Sequence, residues 1–287
     1  MTYISSQIQK EAASRGLSDQ IHVIAPECNH YKTGDDIKEQ ATRIAAEIKG
    51  WLEVHPEPVQ VSFVCHSMGG LKARLVISML DPLPSLNHYI SIATPHLGTS
   101  YASSVYSAAP TGLISLVAGT VGSQLFLRDP ERLIVKMGTL DEYMKPLKSF
   151  KSRTAYSCVA RDLSVGFETA AIRADNPCLG RWGKDGNNVR SYAVFLNSIP
   201  GLGSKNTTQP RLEDISALES SYPTEGTDPD GHVKAMLDGL NSMEWTRVAI
   251  YPSRPALGHV DCIVSNELLN VSFGDSVVQD VVKRLFA

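Results

Sequence analysis

The stretch VQVSFVCHSMGGLKAR, Val59 to Arg74, decides the fold. An apolar run ends at Cys65-His66-Ser67-Met68-Gly69, and a helical pattern begins at once. A strand that turns directly into a helix with a serine at its apex is the order that a nucleophile elbow requires. The tight turn lifts the serine oxygen off the end of a buried strand and leaves room only for small residues two places either side. Gly69 meets that requirement, and Cys65 is small enough for it. The first N–H groups of the helix then face any negative charge that develops beside Ser67. The N–H of Met68 is the nearest, which makes Met68 the candidate oxyanion-hole donor. A serine in such a turn can also be a plain helix N-cap, so partners elsewhere in the chain must decide.

Before the elbow, Ile4, Ile8 and Ala12 recur at four-residue spacing and predict a helix over Tyr3 to Arg15. Ile21 to Ala25 reads as a short strand. Asp35 reads as the cap of a helix whose apolar positions Ile37, Ala41, Ile44, Ala45, Ile48, Trp51 and Leu52 share one face. After the elbow, strands are expected at His88 to Thr94, Thr154 to Ala160 and Thr246 to Tyr251, and a final helix runs from the cap Asp275. Strands that alternate with helices imply an α/β fold with a mostly parallel sheet and helices on both faces. Residues from about 173 to 243 are rich in Gly, Pro, Asn and Asp without a sustained period, and read as a loop-rich insertion in one 1–287 domain. Within them Gly201-Leu202-Gly203-Ser204-Lys205 has the wrong glycine spacing for a phosphate loop.

A serine nucleophile needs a base to take its proton and a carboxylate to orient that base, in the chain order serine, acid, histidine for an elbow of this kind. The histidines that follow Ser67 are His88, His96, His232 and His259. His259 lies beyond the last predicted strand, in Ala256-Leu257-Gly258-His259-Val260, a loop that can carry an imidazole to the carboxyl edge of the sheet. His232 precedes that strand and is the poorer candidate. Asp162 follows the strand ending at Ala160 by two residues, with Glu168 as the alternative acid. An aspartate there is as easily a turn former.

The composition narrows the rest. With 27 basic and 30 acidic residues and no basic cluster, nothing favours a nucleic-acid partner. Five widely spaced cysteines without a C-x-x-C pair read as reduced thiols of a cytoplasmic protein, and no His/Cys spacing suits a metal site; no cofactor is expected. Leu97 to Leu127 holds no charged residue. Pro110 and scattered Gly and Ser make it too weakly apolar for a membrane span, and it reads either as a cover over an acyl pocket or as a pair of core helices.

The succession HSMGGLKAR, IATPHLGTS, GSQLFLRD, ARDLSVGFETAAI and, after a tryptophan-led strand, ALGHVDCIV resembles the lipase-like serine esterases. That family, a domain of unknown function in the α/β-hydrolase superfamily, includes yeast intracellular acylglycerol and phospholipid lipases. The resemblance covers most of residues 1–172 and 243–287. It implies an α/β-hydrolase with Ser67, Asp162 and His259 at the triad positions, a lipid or other ester substrate, and peripheral contact with a membrane or lipid droplet. The chain departs from the family at Cys65 (usually Gly), Arg161 (usually Asn) and Gly166 (usually Pro). The family also has an apolar strand ending in His-Gly, which supplies a second oxyanion donor just ahead of the position of Met1. The resemblance therefore implies an N-terminally truncated version, unpaired edges at the strands of Ile21 and Val59, and weak or absent catalysis.

Overall fold

The computed structural model describes residues 1–55, 59–99, 119–160, 162, 164–178, 211–220, 223, 228, 230–251, 258–264 and 273–287. Helix α1 (Thr2–Ser14) buries Ile4, Ile8 and Ala12 on one stripe, as the four-residue spacing predicts. Helix α2 (Ile37–Val54) buries Ile37, Ala41, Ala45 and Ile48. Its cap is Asp36 and not Asp35: the Asp36 carboxylate accepts from the N–H groups of Lys38 and Glu39. Asp35 instead pairs with the Arg43 guanidinium.

The elbow stretch forms β1 (Gln60–His66) and α3 (Met68–Met79), separated by Ser67 alone. Then come β2 (Ser85–Ile92), the short helices α4 (Thr120–Leu125), α5 (Leu133–Thr139) and α6 (Asp141–Lys148), and β3 (Ser152–Cys158). The remaining elements are α7 (Phe167–Ala171), β4 (Arg211–Asp214), α8 (His232–Leu240), β5 (Thr246–Tyr251), α9 (Gly258–Asp261) and α10 (Phe273–Leu285). The sheet runs in the order β1-β2-β3-β5-β4. Its first three pairings are parallel and the β4–β5 pairing is antiparallel.

The side-chain period of two divides the strand residues between the two faces of the sheet. Toward one face, Leu86 and Tyr89 of β2 and Ala155 of β3 pack with α2, α3, α5, α6 and α8. Toward the other, Ile90 and Ile92 of β2, Tyr156 and Cys158 of β3, and Val248 and Ile250 of β5 pack with α1 and α10. Where a parallel strand is covered on both faces it is apolar on both, as at Tyr89-Ile90 of β2, Ala155-Tyr156 of β3 and Val248-Ala249-Ile250 of β5. A mostly parallel sheet with helices on both faces and a strand-serine-helix turn is an α/β-hydrolase-like fold. None of the described helices is long and apolar enough to cross a membrane.

Two further expectations fail for identifiable reasons. Ile21 to Ala25 is not a strand, because it joins no ladder; Ile21 and Val23 still pack against the α1/α10 core. Among the described residues β1 pairs with β2 alone. The stretch at about 173–243, expected to be loop-rich, also holds β4 and α8. Strand β4 is held by its ladder to β5, a non-local pairing that no local period announces. Asp275 sits in the first turn of α10 instead of capping it, and accepts a hydrogen bond from the Tyr3 hydroxyl of α1.

The elbow is braced from the end of β2 and the segment that follows it. The Ser67 N–H donates to Ile92 O at 2.9 Å, and the Thr94 hydroxyl donates to Ser67 O at 2.8 Å. The close approach falls at Gly70, not at Gly69. A Cβ on Gly70 would lie 2.3 Å from Thr94 Oγ1, whereas one on Gly69 would meet nothing nearer than Cys65 Cβ at 3.9 Å. Gly70→Ala should therefore cost about 1–3 kcal/mol through the displaced Thr94, and Gly69→Ala should be neutral or stabilising by up to about 1 kcal/mol through helix propensity. Urea unfolding of the two variants checks this, and equal losses would contradict it.

Candidate active site

Each candidate side chain stands just past the carboxyl end of a parallel strand: Ser67 after β1, Asp162 after β3 and His259 after β5. Loops at that edge of an open α/β sheet converge on one crevice. Ser67 has φ 54° and ψ −134°, a conformation that a residue with a Cβ adopts only under constraint, costing of order 1–3 kcal/mol. The bonds to Ile92 and Thr94 supply that constraint, and the turn ends β1 and starts α3 without an intervening residue.

Ser67 Oγ lies 2.9 Å from His259 Nε2, and His259 Nδ1 lies 2.9 Å from Asp162 Oδ2. For the serine to give up its proton, Nε2 must accept, so Nδ1–H donates to the carboxylate. The Asp162 side chain is 2% exposed, and its second oxygen accepts from the N–H groups of Ser164 and Val165, each at 2.8 Å. A carboxylate removed from water needs such partners to stay in place. Met68 opens α3, whose first N–H groups have no partner within the helix, so its N–H stands at the positive end of the helix dipole beside Ser67.

The other candidates lie apart from this arrangement. His232 begins α8, and its ring faces Asp230 at 3.9 Å. Glu168 lies in α7, where burial raises its pKa. His88 Nδ1 meets Ser152 Oγ at 2.7 Å, and His96 is buried against Ser91 Oγ at 2.9 Å. Most of the uncharged run Leu97 to Leu127 lies outside the described residues, so its reading as a pocket cover has no structural description. Gly201 to Lys205 also lies outside them. Among the described residues no three His, Cys, Asp or Glu side chains gather to hold a metal. None of the five cysteines forms a disulfide.

Sequence reasoning passed over His66. Its Nε2 lies 2.7 Å from His259 O, and the two rings are 4.6 Å apart between centroids. Burial, and then the nearby His259, push the His66 pKa down to about 4.

A family model for serine esterases matches residues 1–175, more than half of the chain. The chain belongs to the family described as Putative serine esterase (DUF676). Membership makes it, at that coarse level, a serine hydrolase. The matched segment carries Ser67 and Asp162 and stops short of His259, which the sheet brings back from beyond β5. No curated protein matches the chain.

The low pKa of His66 has a consequence for stability. Unfolding returns the ring to an ordinary pKa near 6.5. Below that pH the unfolded chain takes up a proton that the folded one refuses until about pH 4, so stability falls as pH falls through this window. Between pH 7 and pH 5 the wild-type chain should lose about 2 kcal/mol more than His66→Gln, a difference that cancels the carboxylates common to both. Denaturant unfolding at the two pH values measures it, and equal losses would show that His66 titrates normally.

Proposed function

We propose that the protein hydrolyses carboxylic esters, with Ser67 as nucleophile, His259 as base and then acid, and Asp162 as the group that fixes the histidine tautomer. The observation that carries this reading is the continuous Ser67–His259–Asp162 hydrogen-bond chain, 2.9 Å at each step. Ser67 Oγ attacks the acyl carbon while its proton passes to His259 Nε2. The carbonyl π electrons move to oxygen, and the Met68 N–H at the head of α3 stabilises that oxyanion. Collapse expels the alcohol, which takes the proton from His259 and leaves an acyl-Ser67 ester. Water, deprotonated by His259, then releases the acid and restores the serine.

The resemblance to acylglycerol and phospholipid lipases directs the choice of ester toward lipids. A lipid substrate would be met at a membrane or lipid-droplet surface, so contact there is peripheral in this reading. The reduced cysteines, none in a disulfide, support a cytoplasmic setting.

Purified protein should hydrolyse p-nitrophenyl butyrate and a short-chain diacylglycerol. Ser67→Ala should lower kcat by at least about a thousandfold, and Asp162→Asn by about 10³–10⁴. His232→Gln should leave kcat within about twofold, because a surface side chain outside the site contributes nothing to the transition state. Absence of Ser67-dependent turnover on any ester would favour the rival reading, a non-catalytic relative with an incomplete oxyanion hole.

A further inference from the structure

His66 precedes the nucleophile, and its ring makes a contact that its place in β1 does not require. Nε2 lies 2.7 Å from the main-chain O of His259. A carbonyl only accepts, so Nε2 carries the proton and donates it. The same oxygen accepts from Cys262 Sγ at 3.1 Å. These contacts matter because His259 sits in α9, a helix of four residues. A single turn closes too few hydrogen bonds to hold itself in place. The buried Cys262, Ile263 and Val264 anchor the chain after this turn, and the His259 residue itself is held by tethers, to Asp162 through its side chain and to His66 and Cys262 through its main-chain oxygen.

We propose that His66 is a positioning residue, whose Nε2–H fixes the main chain of His259 and so holds the imidazole in line with Ser67 Oγ. The proposal rests on the serine-hydrolase reading above. The main chain of His66 is itself fixed, paired in register with Ile92 of β2, and the next N–H, that of Ser67, donates to Ile92 O. One support thus carries both the nucleophile and the tether to the base. The distance between them stays constant as long as the tether holds.

The donor also has to be uncharged. During acyl transfer His259 becomes an imidazolium, and a permanent cation 4.6 Å away would oppose that charge. Burial keeps the His66 ring neutral above about pH 4. Asp162, the carboxylate that faces both rings, favours positive charge on either, and of the two rings it hydrogen-bonds that of His259.

The test compares His66→Gln, His66→Asn and His66→Phe with the wild-type chain. A glutamine side-chain amide places an N–H where histidine has Nε2; asparagine reaches only the Nδ1 position, and phenylalanine has no donor. Two quantities are read: hydrogen exchange of the peptide covering residues 258–264, and turnover of p-nitrophenyl butyrate with a Ser67→Ala control. In the Asn and Phe variants exchange of residues 258–264 should rise about tenfold or more, with β1 and β2 unchanged. In the same variants kcat should fall roughly 10- to 100-fold with KM within about twofold. His66→Gln should retain both properties within about threefold. Unchanged exchange in the Asn and Phe variants, or a Gln variant as impaired as Asn, would overturn the proposal. If the Phe variant fails to fold, the Gln–Asn pair decides alone. Exchange needs no turnover, so an inactive wild-type chain would sink the hydrolase reading while the tether itself is still judged.

Discussion

The turn at Ser67 is the constraint on which the rest of the structure depends. A non-glycine residue at φ 54° does not hold that conformation by itself. It is held because the end of β2 and the segment after it grip it twice, through Ile92 O and the Thr94 hydroxyl, and because the missing Cβ of Gly70 lets Thr94 come that close. The packing of α3 on β1 and β2 then follows. Residues Leu71, Leu75 and Val76 of α3 are buried in the same cluster as Leu86 and Tyr89 of β2, so the burial that stabilises the fold also fixes the angle at which the serine emerges.

Around that turn the molecule arranges its polar groups so that each has a defined state. Asp162 is nearly inaccessible, and its two oxygens are divided between two backbone N–H groups and the His259 ring. His259 has a proton donor on one side and an acceptor on the other. His66 is kept neutral by burial beside it. The two histidines thus differ in role because they differ in surroundings. One faces a carboxylate and can take a proton in the reaction; the other faces a carbonyl and keeps the proton it has.

Much of this is legible in the sequence where the signal is local. The strand-serine-helix turn, the four-residue stripe of α1 and the chain order that selects Ser67, Asp162 and His259 all depend on residues close together or on topology rules. Legibility ends where tertiary pairing decides. Ile21 to Ala25 has the composition of a strand but finds no ladder, while Arg211 to Asp214 lacks that composition and is made a strand by β5. The choice between Asp35 and Asp36 as cap turns on which carboxylate faces the Lys38 and Glu39 N–H groups and which is drawn to Arg43. The contact of His66 with His259 spans 193 residues, and the only hint of it in the sequence is the histidine beside the serine.

That Ser67 is the activated group can be tested without knowing the physiological ester. An aryl phosphonate carries a tetrahedral phosphorus that traps a serine only where a base removes its proton. Intact-mass and peptide mapping after treatment should show one adduct, on the peptide that contains Ser67, with none in Ser67→Ala. In His259→Gln labelling should be slowed by at least about a hundredfold, the size of a general-base contribution. An adduct on any other residue, or labelling of Ser67 at the same rate without His259, would contradict the assignment.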